Sequence, residues 1–384
     1  MTRRWASSSR PARTIRWMVD VRWWARPVTL PVLVFVGWRS AHAAVVLAFG
    51  GGLGQTTYAF DGAFYLSVLR DGYIAPPDGY GQFSNVAFFP GLAWLTAVVL
   101  VVVRNEAVAT ALVANGLALA SFLAVWAAVR AWTEDDGIAR RAVVGLACLP
   151  TSYYLWMYYS EGLLVAVGAS AAWCSRTERH ARAAFLLAVA ATSRAVGVLV
   201  GPVLAVVRIM RLRRIDRTSI AYVGASTLGF ASVVARQAVE IDDPLGWARA
   251  QEAWGRELAP PWTPLLAAIR DLVRTLPDFA EGVGLDLATV ILVGLLVVAL
   301  VIGARRKVWP PEAAGLAFVF WFVPLCSRLV SSQVRFALAC WPVLLVPAHA
   351  WPCLRGAVRI ALAFAAVALS VVLLRRLAIG SFTA

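Results

Sequence analysis

The chain has 384 residues, of which 60% are hydrophobic and only 15% charged, and its mean hydropathy is +0.72. Soluble domains carry about one quarter charged residues, so this composition excludes a soluble fold, a disordered chain and a small disulfide scaffold, and makes the bilayer the solvent. The net charge of +15 lies in short basic clusters between apolar runs instead of on one patch, which argues against a nucleic-acid binder and matches the bias of cytoplasmic loops.

A span needs about 20 residues plus its turns, so the length predicts one all-α polytopic bundle with roughly ten membrane segments. Residues 1–27 carry seven arginines against the single acid Asp20, and an apolar stretch follows over 28–53. This predicts a basic cytoplasmic tail and a first span running outward. Ala41-His42-Ala43 imitates a signal-peptidase site, but the apolar run continues past it, as in an uncleaved signal anchor. Arg39 and His42 within that span read as polar contacts facing the bundle. Residues 54–85, polar, aromatic and rich in glycine, form a first extracytoplasmic loop.

The middle of the chain admits two threadings. With 86–103 and 108–131 both full spans, Arg130, Arg140 and Arg141 fall outside; with 86–103 a re-entrant element they fall inside, which the charge rule favours. The favoured threading puts residues 150–161 outside, where Tyr153, Tyr154, Trp156, Tyr158 and Tyr159 read as an interfacial aromatic belt. After the basic cluster Arg208, Arg211, Arg213, Arg214 and Arg217, a span over 219–234 leads outward to a long extracytoplasmic loop, 237–285, with eight acids against four arginines. Spans over 287–304, 313–325, 336–348 and 360–374 then alternate. A single polytopic membrane domain thus occupies 28–378, with a short tail over 379–384. Lys307 is the only lysine among 36 basic residues, a bias that reads as a GC-rich genome and a bacterial plasma membrane.

The five cysteines contain no C-x-x-C pair and only three histidines are present, so neither a zinc site nor a disulfide framework is expected. The ionisable residues at water-to-lipid boundaries are more informative. Asp61, in Phe60-Asp61-Gly62-Ala63-Phe64-Tyr65, is either the N-cap of a short surface helix or a carboxylate with chemistry to perform. Arg194 interrupts an apolar run and reads as a functional cation, as a side chain snorkelling to the interface, or as a partner of Glu161. Glu161 binds a sugar hydroxyl, orients Arg194 or caps the helix that starts at Gly162, and Arg335, just before a span, is a ligand or a flanking anchor.

Together these segments resemble a family. Asp61 through Gly72-Tyr73 is similar to the W-D-x-x-x-Y stretch followed by G-Y in PIG-V-type mannosyltransferases, members of the GT-C superfamily of polytopic glycosyltransferases. Asn85 to Pro90 resembles that family's N-x-A-F-F-P, Tyr159-Ser160-Glu161 its Y-[ST]-E, and Ser193 to Gly197 its [ST]-R-x-x-G. Asp243-Pro244 with Gln251 and Trp254-Gly255 resembles its D-P…Q…W block, and Arg335-Phe336 its R-Y before a span. The likeness runs in order over residues 30 to 350 and departs at Phe60 for Trp, at Gly91-Leu92-Ala93 where a second proline is usual, and at Phe336 for Tyr.

The resemblance implies that Asp61 is the base, that the donor is a polyprenyl-phosphate sugar, most simply of mannose, and that the anomeric configuration inverts. The acceptor would be an extracytoplasmic lipid-linked glycan, glycolipid or protein. A carboxylate suits the base because an attacking hydroxyl must lose its proton as its bond forms. A leaving phosphate needs fixed donors, for which the guanidinium forks of Arg194 and Arg335 are candidates. Tyr65, Phe88, Phe89 and Trp254 are candidates to stack on a sugar ring or hold a prenyl tail, with Asn85 and Gln251 as polar contacts. No cofactor or metal is expected, since Asp61 and Glu161 would have to hold a metal without histidine support. Two rivals remain: a transporter or lipid flippase, which would string its ionisable groups along a midplane pathway, and a non-catalytic membrane subunit.

Overall fold

The structure, a computed structural model, describes residues 28–264, 301–305, 307–327 and 333–381, with isolated positions 266, 267, 269, 270, 294 and 298. The basic tail 1–27 and most of the expected 287–304 span lie outside the described residues. Everything described is helix or connecting turn apart from one isolated bridge between Leu258 and Ser327. Twelve helices are named here: α1 Thr29–Ala48, α2 Asp61–Arg70, α3 Gly91–Val103, α4 Glu106–Thr133, α5 Asp136–Cys148, α6 Ser160–Arg176, α7 His180–Ala191, α8 Val200–Leu212, α9 Arg217–Ile241, α10 Pro311–Leu325, α11 Leu345–Ala350 and α12 Gly356–Ala378.

Local chemistry sets the boundaries. Asn105, Asp135 and Asp216 each turn a side-chain oxygen back onto a first-turn amide of α4, α5 and α9, at 3.1, 3.0 and 2.9 Å. Arg104, Glu134, Arg213 and Asp242 end α3, α4, α8 and α9 in the left-handed conformation.

Contacts between neighbours fix the direction of each helix. Arg39 of α1 donates to Asn115 of α4 at 2.8 Å and Phe35 packs on Phe122, so the two helices are antiparallel. α6 runs alongside α4 in the same direction, with Ser121 donating to the Gly162 carbonyl near one end and Arg176 to that of Ala131 at the other. α7 returns, α8 descends, and α9 returns until Gln237 donates to the Val86 carbonyl at 2.8 Å. α10 starts beside Arg211, which pairs with Glu312, and ends where Ala259 donates to the Cys326 carbonyl. The segment from Ala337 through α11 descends past a stacked Trp132–Trp341 pair to Arg141, and α12 climbs back to Phe49. One end of the bundle therefore gathers residues 50–105, 156–161, 192–195 and 237–262; the other carries the turns with Arg130, Arg176, Arg208 and Arg217.

α3 does not cross. Its 13 residues reach about 20 Å, short of a roughly 30 Å hydrocarbon layer, and the start of α4 immediately after it pairs back to α2 through Arg70 and Glu106 at 2.5 Å. Its length and this ion pair fit the re-entrant element expected for 86–103. Five helical segments are long and apolar enough to span: Thr29–Ala48, Glu106–Thr133, Ala195–Leu212, Arg217–Ile241 and Gly356–Ala378. Four further apolar helices of 10 to 17 residues stand beside them among the described residues, against the roughly ten membrane segments expected. Val102, Leu228, Ile360 and Phe364 are 71% to 83% exposed, an apolar exterior suited to lipid and not to water. The protein is an all-helical integral membrane protein.

The aromatic belt expected over 150–161 is not at the surface. Tyr153, Tyr154, Trp156, Tyr158 and Tyr159 are all at most 2% exposed and form the inner wall of the bundle. Such rings are buried because their polar ends find partners: Trp156 donates to His42 at 3.1 Å, Tyr158 to Thr96 at 2.8 Å and Tyr159 to the Ala59 carbonyl at 3.0 Å. Arg39, stacked on Trp156, and His42 face the bundle as expected.

Candidate active site

Five charged side chains from five distant segments, Asp61, Glu161, Arg194, Arg256 and Arg335, meet at one end of the bundle, in a cavity of about 590 Å³. Asp61 is the first residue of α2, and the preceding Phe60 sits at a positive φ of 54° with no side chain capping the helix. Asp61 is thus not the N-cap. Its backbone N–H donates to the Tyr159 hydroxyl at 3.0 Å, and its carboxylate Oδ2 accepts from Arg335 Nη1 at 2.5 Å. The sharp turn at Phe60 directs this carboxylate into the cavity instead of onto its own helix.

Glu161 lies in the first turn of α6 and is 1% exposed. Its Oε1 takes Arg194 Nη1 and lies 2.8 Å from Arg335 Nε, an ion pair off the angle of a hydrogen bond. Oε2 of the same carboxylate is buried with no hydrogen-bond partner. Arg194 thus takes the pairing role among those the sequence left open, and it also stacks on Phe336, with Cζ 4.5 Å from the ring centre. Arg335 bridges the two carboxylates, which offsets the penalty of burying a guanidinium that is only 4% exposed.

The other expected residues divide. Tyr65 lines the cavity and shares a 2.5 Å hydrogen bond with Ser160; burial pushes its phenol up to about 12, so it stays protonated and is unsuited to act as a base. Gln251 and Trp254 line the cavity too, Trp254 meeting Phe64, Phe83 and Phe88 edge to face. Phe88 and Phe89 complete this aromatic side. Asn85 lies elsewhere. Its amide donates to Ser67 and the Gly72 carbonyl and accepts from the Ile74 N–H, at 2.8 to 3.0 Å, so it braces the loop behind the cavity and does not line it. Asp243 likewise braces the loop, accepting from Tyr80 at 2.7 Å and from Arg249.

Arg256 went unnoticed in the sequence. Gly255, at φ 61°, ends the short helical turn Ala250–Trp254 and folds the chain back, so that Arg256 N–H bonds the Gln251 carbonyl and its guanidinium enters the cavity wall. Nη1 donates to Gln251 Oε1 at 3.1 Å, and Cζ sits 5.0 Å from the Phe336 ring centre. Burial, then the nearby Arg335 and Arg194 charges, push this guanidinium down to about 10. As a cation site the cavity is poorly furnished: Arg335 already holds oxygens of both carboxylates, and no cluster of three or more His, Cys, Asp or Glu exists among the described residues.

No family model matches the sequence, and no curated protein matches it. The fold is similar to two crystal structures of the Archaeoglobus fulgidus oligosaccharyltransferase. For the complex with zinc and sulfate, the TM-score is 0.44 at 14% identity, covering 85% of this chain and 49% of that one. For the apo form the TM-score is 0.46 at 12% identity, covering 89% and 56%. The chain thus spans about half the length of those proteins. Likeness at this level identifies neither a family nor a reaction.

Proposed function

We propose that this protein is an inverting membrane glycosyltransferase of the GT-C type, which transfers a hexose, most simply mannose, from a polyprenyl phosphate to an extracytoplasmic acceptor: a lipid-linked glycan, a glycolipid or a protein. The observation that carries this reading is the convergence of Asp61 with three cavity arginines beside an aromatic wall, at the end of a membrane bundle. A carboxylate, fixed cations and stacking surfaces are the three elements a sugar transfer from a lipid phosphate requires.

In this reading the acceptor hydroxyl attacks the anomeric carbon while its proton passes to Asp61. The carbon–oxygen bond to phosphate breaks, and its electron pair leaves on the phosphate, whose charge the guanidiniums stabilise. Attack opposite to the departing group inverts the anomeric centre. Tyr159 holds the backbone of Asp61, and Glu161 orients Arg194 and Arg335. No step calls for a cofactor. A transporter is disfavoured because the ionisable groups cluster at one end instead of along a path through the bundle.

The test is to incubate the purified protein in lipid with labelled polyprenyl-phosphate mannose and a membrane extract, and to identify the labelled product. Label appearing in a glycolipid, glycan or protein fits; donor that remains intact with every extract, or crosses the bilayer unchanged, refutes the reading.

A further inference from the structure

Four of the five charges in the cavity satisfy one another. Arg335 joins Asp61 and Glu161, and Arg194 pairs with Glu161. Arg256 is the exception: among the described residues its polar side-chain contact is the neutral Gln251 oxygen, and no carboxylate lies within ion-pairing distance. Its other neighbour is the face of Phe336, which it shares with Arg194 and Arg335 at 4.5 to 5.2 Å. Three guanidiniums therefore stand around one ring with two carboxylates among them, leaving one positive charge on the cavity wall with no carboxylate of its own among the described residues. A guanidinium in that position presents several N–H donors in a plane, the geometry that matches phosphate oxygens. It also sits beside the aromatic side of the cavity, at Trp254, where a lipid tail or sugar would lie.

We infer that Arg256 is the residue that receives the anionic group of the substrate, the phosphate oxygens of a prenyl-linked sugar, whereas Arg194 and Arg335 are positioning residues held by Glu161 and Asp61. This rests on the donor class proposed above. The assignment differs from that suggested by the sequence motifs, in which Arg194 and Arg335 face the phosphate. It follows from charge pairing: a guanidinium already bound to a buried carboxylate must break that pair to bind a second anion, and Arg256 need not.

The experiment measures binding of farnesyl phosphate, farnesol and inorganic phosphate to the purified protein in nanodiscs, for wild type, Arg256→Gln and Arg256→Lys. Wild type should bind farnesyl phosphate at least about tenfold more tightly than farnesol, a typical worth of a charge-assisted hydrogen bond. Arg256→Gln should lose that preference while keeping its melting temperature and its farnesol affinity, and Arg256→Lys should recover part of it. Stronger binding of inorganic phosphate than of farnesyl phosphate would overturn the lipid-linked assignment. If wild type shows no preference for the phosphate over the alcohol, the donor class fails and this inference with it. If wild type shows the preference and Arg256→Gln retains it at normal stability, the donor class stands and the role of Arg256 alone is refuted. Should Arg256→Gln not fold, Arg256→Lys decides: full wild-type discrimination between phosphate and alcohol in a folded Lys variant contradicts the requirement for a planar fork.

Discussion

At the scale of single residues, the proposed reaction gives Asp61 and the groups that hold it different tasks. Asp61→Asn preserves the shape and a hydrogen bond to Arg335 but removes the basic oxygen, so turnover should fall about 100- to 10,000-fold with expression and melting temperature little changed; transfer near the wild-type rate would remove Asp61 from the role of base. Arg335 should behave differently. Its removal strands Asp61 and takes one of two cations from Glu161, which is 1% exposed, and breaking a buried pair of this kind destabilises by about 3 to 5 kcal/mol. Because the groups share partners, Arg335→Gln combined with Glu161→Gln should be less destabilising than the sum of the two single changes. Strict additivity in thermal or denaturant unfolding would mean that the ion pairs contribute nothing. Much of this was legible beforehand: Asp61, Glu161, Arg194 and Arg335 stand out because a charge at a lipid boundary needs a reason. Arg256 did not stand out, since in Trp254-Gly255-Arg256-Glu257 it looks like any solvated loop arginine, and only the turn at Gly255 reveals where it goes.

At the scale of elements, the position of Arg194 depends on how closely the α7–α8 hairpin is folded. Gly197 lies in the short 3-10 segment Ala195–Leu199 between them, and a Cβ there would come within 2.0 Å of the Ala190 carbonyl oxygen. Gly229 of α9 is similarly pressed, its Cβ position 2.1 Å from the Ala188 oxygen. Gly197→Ala should therefore both lower the melting temperature and reduce transfer, by forcing the hairpin open and pulling Arg194 away from Glu161. Gly224→Ala, on the same α9 helix with nothing within 4 Å, is the control: it should be neutral or stabilise by up to about 1 kcal/mol. Equal effects of the two changes would show that close helix approach is not what orients the hairpin. Apolar runs located α4, expected over 108–131 and observed at Glu106–Thr133, and α12, expected over 360–374 and observed at Gly356–Ala378, but ended α9 at 234 where the helix continues to Ile241. It did not reveal that residues 152–159 are interior wall, because tyrosine and tryptophan are as common at a lipid interface as in a core with hydrogen-bond partners. Asn85 lies outside the cavity for a related reason: a loop can call for a buried amide as readily as a substrate can.

At the scale of the whole molecule, the proposed reaction demands that all its groups lie on one side of the membrane, and the helix directions turn that demand into a testable statement. Asp61, Glu161, Arg194, Arg256 and Arg335 share the end of the bundle that also carries residues 71–90, while the turns rich in arginine, at Arg130, Arg176, Arg208 and Arg213, lie at the opposite end. Basic turns are retained on the cytoplasmic side, so the cavity is expected to open on the other. In a background lacking native cysteines, single cysteines at the exposed positions Gly79, Arg104 and Glu252 should react with an impermeant thiol reagent added from outside, and those at Glu178 and Arg214 only after the membrane is opened. Ser160 would be a poor reporter, being fully buried against Tyr65. Position 104 is the most discriminating. It follows α3, and if that helix crossed the bilayer, Arg104 and Gly79 would label from opposite sides; the pairing of Arg70 with Glu106 requires that they label from the same side. Protection of position 104 from external reagent would reverse the direction of α4 and of every helix counted from it, and would separate Glu161 from Asp61 by the thickness of the membrane.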